Sequence, residues 1–164
     1  MGLTYSDTKY RRNLVGTAGA PLSSALFQLP GRQISNAPKY VVTSSIAFTP
    51  DIGTSGLSAL FYLDCRFQSD TNTGSDLDAE KIQDGFLVVN GRIGLFGPDK
   101  KWGIEVFGQN LFNKKFQQIG ADGPFLGGGT IRGAQSGVNA IANQVFIGFP
   151  GEPRTYGVTV RGKF

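Results

Sequence analysis

Histidine is absent from the 164 residues, so Ser–His and Cys–His nucleophile pairs and imidazole metal ligands cannot be built from this chain. Cys65 is the one cysteine, which excludes an internal disulfide and a thiolate metal cluster. It falls among apolar residues of one parity, where a thiol packs as a small hydrophobe. The carboxylates Asp76, Asp78 and Glu80 crowd one polar stretch. Oxygen donors so placed can serve calcium, and equally they can stand solvated in a loop. The run GGGTIRG, residues 127–133, has the glycines of a phosphate cradle but lacks the lysine and following helix of a P-loop. No catalytic residue, metal site or cofactor is assigned, and the chain is not expected to be an enzyme.

The remaining charges suggest no nucleic-acid surface. The net charge is +4, and Arg11–Arg12, Lys100–Lys101 and Lys114–Lys115 are isolated pairs rather than a basic stripe that tracks phosphates. With 24 glycines, 8 prolines and 12% aromatic residues, the composition favours turns and strands in a single domain. No window sustains the helical apolar period, and no run approaches the roughly 18 apolar residues of a spanning helix.

Six segments alternate as strands do. Residues 2–10 set Leu3 and Tyr5 against Thr4 and Ser6, and residues 38–49 set Tyr40, Val42, Ile46 and Phe48 against Lys39, Thr43 and Ser45. Residues 56–68 carry Leu57, Ala59, Phe61, Leu63, Cys65 and Phe67 on one parity, with Tyr62, Asp64 and Arg66 on the other. Residues 85–96 oppose Leu87, Val89, Ile93 and Leu95 to Asn90 and Arg92. Residues 101–118, read as one strand, oppose Trp102, Ile104, Val106 and Phe112 to Glu105, Gln109 and Lys115. The last segment, RTYGVTVRGKF, places Tyr156, Val158, Val160 and Phe164 opposite Thr155, Thr159, Arg161 and Lys163.

Connection lengths add a second pattern. Pro50–Ser55 and Gly97–Lys100 have the residues of tight turns, whereas residues 11–37, 69–84 and 119–153 are long. Short turns at one end and long loops at the other are the habit of a transmembrane β-barrel, in which lipid-facing and lumen-facing side chains alternate. On that reading Phe48, Trp102 and Phe164 form an aromatic girdle near the periplasmic end. Tyr40, Phe67, Phe112 and Tyr156 form one near the outer end. The terminal strand, ending on Phe164, resembles the signal by which bacterial outer-membrane proteins are recognised for barrel assembly. Alternation alone leaves open which face is wet, so a soluble sandwich would show the same parity.

Three further motifs carry a family resemblance. LPGRQISNAPKYVVTSSIAFTP, residues 29–50, KKWGIEVFGQNLFNKKFQQ, residues 100–118, and GEPRTYGVTVRGKF, residues 151–164, follow one another in order. The chain resembles the C-terminal part of a TonB-dependent outer-membrane receptor, most specifically through Asn110, Leu111, Phe112, Asn113 and Lys114 and through Pro153 and Arg154 before the last strand. The resemblance implies a barrel of about 22 strands with a plugged lumen, of which this chain would supply about six. Its implied partners are the lipid bilayer, the rest of the barrel and its plug, the barrel-assembly machinery, and TonB through N-terminal parts not seen here. Its implied task is active uptake of a scarce ligand of the siderophore, cobalamin or oligosaccharide class across the bacterial outer membrane.

Met1 is followed at once by GLTYSDTKY, without the basic and apolar regions of a secretory leader. The membrane reading therefore expects the C-terminal piece of something longer. The glycine-rich loop 119–153 would be a candidate for ligand contact, and residues 144–149 would extend the last strand or form a hairpin. The competing reading is an autonomous small barrel, eight-stranded in a membrane or lipocalin-like, in which residues 22–29 and 144–149 would supply the missing strands.

Overall fold

Antiparallel pairing is what alternating segments joined by short turns favour, since a hairpin needs only a few residues to reverse the chain. The computed structural model describes residues 1–22, 26–123 and 145–163, and it is all-β, with antiparallel sheets. The main sheet is built from β1 (Gly2–Tyr5), β2 (Tyr40–Phe48), the short β3 (Asp51–Ile52) and β4 (Leu57–Gln68). It continues through β7 (Phe86–Phe96), β8 (Trp102–Gln109) and β11 (Thr155–Gly162). The strand order is β1-β2-β4-β7-β8-β11, with β3 paired to β4 inside the first tight turn. Two smaller hairpins stand at the end of the long connections: β5 (Thr71–Asn72) with β6 (Ile82–Gln83), and β9 (Gln117–Asp122) with β10 (Phe146–Pro150).

Register carries the parity intact across the whole sheet. One row of paired residues runs Phe48, Phe61, Ile93, Val106, Val158 over five strands. The next runs Ile46, Leu63, Gly91, Gly108, Tyr156, and Leu3, Val42, Phe67 and Leu87 form another. The apolar parity of the six main-sheet segments therefore lies on one face, while Phe86, Phe96 and Phe107 fall on the other. A one-residue slip of any strand would send its apolar set to the opposite side, so the pairing is strongly specified.

Two sequence expectations are corrected here. The segment 101–118 is two strands, because the chain turns between them through Asn110 and Asn113, both at positive φ (48° and 51°). Phe112 thus sits in a turn and not in a strand, although it stays exposed. The first strand is also shorter than residues 2–10; beyond Tyr5 only a single bridge, Lys9 to Gln33, continues the pairing.

Residues 146–150 form a hairpin with β9, and residues 26–29 make a turn in which the Leu29 amide donates to the Leu26 carbonyl. Neither segment adds a strand to the main sheet. Phe164 and Gly127–Gly129, Gly133 and Gly137 lie outside the described residues.

Buried apolar side chains are few among the described residues: Leu29, Leu77, Phe86 and Val89. Three of them gather beneath or beside the long connections, where Phe86 stacks on Phe116 at 4.3 Å between ring centroids. Among the described residues, no second layer covers the apolar face in the broad middle of the sheet.

Candidate functional site

The apolar face of the sheet is broadly exposed among the described residues, and the opposite face holds a buried carboxylate. On the apolar face Ile46 is 67% exposed, Ile93 61%, Val158 61% and Val160 74%. On the other face Glu105 is 3% exposed. Water contact with so much aliphatic surface is costly, at roughly 25 cal/mol per Å², and contiguous apolar patches of this extent mark a surface meant to be covered. The polar face holds aromatic rings as well, and two of them lie across a glycine on the neighbouring strand. Phe96 covers Gly103 and Phe107 covers Gly157, so that a Cβ at either glycine would strike the ring. A concavity of about 890 Å³ opens on the polar face, with Ser45, Tyr62, Asp64, Asn90 and Gln109 in its lining.

Glu105 organises that face. Its carboxylate accepts from Arg92 on β7 at 3.3 Å and lies 3.1 Å from the Arg161 guanidinium on β11. One step along, Asn90 donates to Asp64 at 2.8 Å and accepts from the Asn110 amide at 2.9 Å. The guanidiniums are half-exposed or more, which screens the pairs, but the carboxylate is not. Glu105→Ala is expected to lower stability by about 1–3 kcal/mol, because two arginines lose their shared acceptor. A double-mutant cycle with Arg92→Met, read from denaturant midpoints, should return a coupling of about 0.5 kcal/mol or more; strict additivity would mean that the two residues are neighbours without an energetic interaction.

Above the sheet, a lysine does what the sequence left to calcium or to water. Lys81, 2% exposed in its side chain, places Nζ 2.5 Å from Asp76, 2.6 Å from Asp122 and 3.8 Å from Asp78. Those three carboxylates lie within 4.8 Å of one another, and Glu80 is not among them. The ammonium stands among the three carboxylates as their shared cation. Phe146 on β10 adds a ring 5.6 Å from the ammonium, and Gln28 donates to Asp78 at 3.1 Å. The positive φ of Leu77, 64°, turns Asp76 and Asp78 toward the same lysine.

Burial is the first cause that pushes Asp78 up to about 6, with Asp76, Asp122 and Glu80 adding to it against the pull of Lys81. For Asp76 burial acts upward, but the hydrogen bonds from Lys81 and from the Asp78 amide outweigh it and hold the carboxyl below 3.8. For Lys81 burial acts downward, and the bonds to Asp122 and Asp76 raise it above 10.5 regardless.

The Asn-Leu-Phe turn has a definite mechanical role. Asn110, 3% exposed, donates through Nδ2 to the carbonyls of Lys114 (2.9 Å) and Glu152 (3.0 Å), while its Oδ1 accepts from the Lys114 amide (2.8 Å). Leu111 follows, donating its amide to the Val89 carbonyl and laying its side chain over Gly91 and Gly108. The side chain of one asparagine thereby closes the turn after β8 and ties it to the segment that leads into β11.

The aromatic residues singled out by parity fall as follows. Tyr40, Phe48, Phe67, Trp102 and Tyr156 are on the apolar face of strands and exposed, as are Val158 and Val160. Pro153 and Arg154 precede β11, and the Arg154 guanidinium stacks over Tyr156 at 5.6 Å. Cys65 is half-buried on the apolar face between Ser44 and Val89. The Lys81 cluster and the Glu105 network were not marked in advance. Asp122 and Arg161 are remote in sequence from the residues they join, and only the local charge density around residues 76–80 points to the first cluster. No family model matches the chain, and neither does any curated protein or solved structure.

Proposed function

We propose that this chain is a wall segment of a TonB-dependent outer-membrane receptor, the C-terminal part of its barrel, serving uptake of a scarce ligand of the siderophore, cobalamin or oligosaccharide class. The observation that carries the reading is the uncovered apolar face, continuous in register from β1 to β11, opposite a face whose carboxylate Glu105 is buried. In this reading the apolar face meets lipid, and the polar concavity forms part of the lumen. The short turns face the periplasm and the two small hairpins face outward. β1 and β11 each have one partner among the described strands, and the neighbouring wall strands of the receptor would complete them, as backbone in lipid requires. The plug, TonB and the barrel-assembly machinery are the remaining partners of the proposal.

The test is a pair of single-cysteine variants in a Cys65→Ser background, Val158→Cys and Thr159→Cys, spin-labelled in membranes of the producing cells. Val158 should show high collision with oxygen and little with an aqueous nickel chelate, and Thr159 the reverse. Equal access of the chelate to both positions would overturn the membrane reading.

A further inference from the structure

Where the long connections leave the apolar face, cations and aromatic rings are held together by the Asn110 clamp. Because Asn110 binds the carbonyls of Lys114 and Glu152 at once, the turn 110–115 and the segment 152–156 lie side by side. The two segments bring Lys114, Lys115 and Arg154 against the single acid Glu152, an excess of two positive charges. All four residues are exposed, as is Phe112, at 74%.

The Arg154 guanidinium covers Tyr156, and Tyr156 borders an apolar groove of about 580 Å³. Leu63, Ile93, Val106 and Leu111 line that groove, and the Leu111 side chain lies over the paired glycines Gly91 and Gly108. At the same end of the sheet the Lys39 ammonium stands 5.9 Å and 6.0 Å from the Tyr5 and Tyr40 rings, which repeats the cation–aromatic pairing.

We propose that this rim binds a phosphate-bearing membrane lipid, its acyl chain in the groove lined by Leu63, Ile93, Val106 and Leu111 and its headgroup phosphate on Arg154, Lys114 and Lys115. The inference rests on the membrane reading above. Continuity of the groove with the lipid-facing surface supplies the acyl contact. The charge excess supplies the headgroup contact, since guanidinium and ammonium groups donate charge-assisted hydrogen bonds to phosphate and each basic residue near an anionic surface adds to the attraction. Tyrosine at such a rim offers an apolar body and a polar tip to the same molecule.

The experiment extracts the full chain, together with the wall strands that complete it, from membranes of the producing cells into nanodiscs of phosphatidylcholine doped with phosphatidic acid and counts retained phosphatidic acid by native mass spectrometry. The variant is Lys114→Gln, Lys115→Gln and Arg154→Gln together. Retention should fall about 100-fold in the triple variant, and high salt should weaken it in the unsubstituted chain. Unchanged retention in the triple variant overturns the proposal, as does equal competition by inorganic phosphate, which would make the patch a simple anion site. The Val158→Cys label, read in both backgrounds, separates the two ideas. If it stays lipid-accessible while phosphatidic acid is not retained, the headgroup site fails and the wall reading stands. If it never enters lipid, both fail.

Discussion

Asn110→Ala is expected to lower the stability of the folded chain by about 3–5 kcal/mol. Three side-chain hydrogen bonds disappear, each worth about 1 kcal/mol net, and they leave the Lys114 amide and the Lys114 and Glu152 carbonyls without their partner. Alanine must also hold a φ of 48°, which costs an L-residue about 1–2 kcal/mol and costs asparagine less. Asn110→Gly removes the same bonds without that strain and should be the milder variant by about 1 kcal/mol. Asn110→Asp keeps an acceptor for the Lys114 amide but sets carboxylate oxygen against two carbonyls, so it should not rescue. Trp102 is the one tryptophan and lies on β8, the strand that Asn110 terminates. Its fluorescence in a urea titration of the detergent-folded protein reads all three variants. An alanine variant within about 1 kcal/mol of the unsubstituted chain would mean that the clamp is redundant with the pairing of β8 and β11.

The same asparagine marks the limit of what the sequence displays. Alternation is legible over residues 40–48, 57–68, 86–96 and 155–162 because a period of two survives wherever one face is uniformly apolar, and the observed register preserves it. The break at Asn110 is easy to read through because Phe112 returns to the parity of Trp102, Ile104 and Val106, although Asn110 and Leu111 interrupt the alternation. Two asparagines three residues apart, both of a type that tolerates left-handed backbone, were the available sign. β5 and β6 are two residues each, too short to show any period. The Lys81 cluster joins Asp76 and Asp78 to Asp122, 41 residues beyond the lysine, and no local pattern announces that contact. Glu105 likewise meets Arg161 only because β11 pairs with β8. Alternation told which residues share a face; the burial of Glu105 and the exposure of Val160 tell which face is left for an apolar partner.

Lys81→Met is the second large effect, with an expected local cost of about 3–5 kcal/mol at neutral pH, the usual penalty for stripping a buried charge of its partner. Asp76, Asp78 and Asp122 would then face one another with no cation among them. The loss should be local, because the lysine joins the β5/β6 hairpin to β9 and not to the main sheet.

The Gly120 amide, which donates to the Thr73 carbonyl at 3.1 Å, reports on the junction. Its hydrogen exchange should quicken by about 100-fold or more at pH 7, while amides in the middle of β4 and β7 hold. Acid should repair the variant, since protonated carboxyls no longer repel.

The unsubstituted chain has its own pH dependence. Asp78 binds its proton more tightly when folded, at about 6 against 3.8, so its contribution favours the closed junction below 3.8 and fades as pH rises through 6. Asp76 is shifted the other way, and its contribution is present above 3.8 and lost as pH falls through its lower folded value. Lys81, raised above 10.5, contributes up to that pH and is lost above its folded value. The three windows overlap between about pH 4 and 6, where Gly120 should exchange most slowly relative to its intrinsic rate. A junction equally protected at pH 5 and pH 8, or a Lys81→Met variant whose Gly120 exchanges at the original rate, would show that the hairpins are held by β9–β10 pairing and the Phe86–Phe116 stack alone.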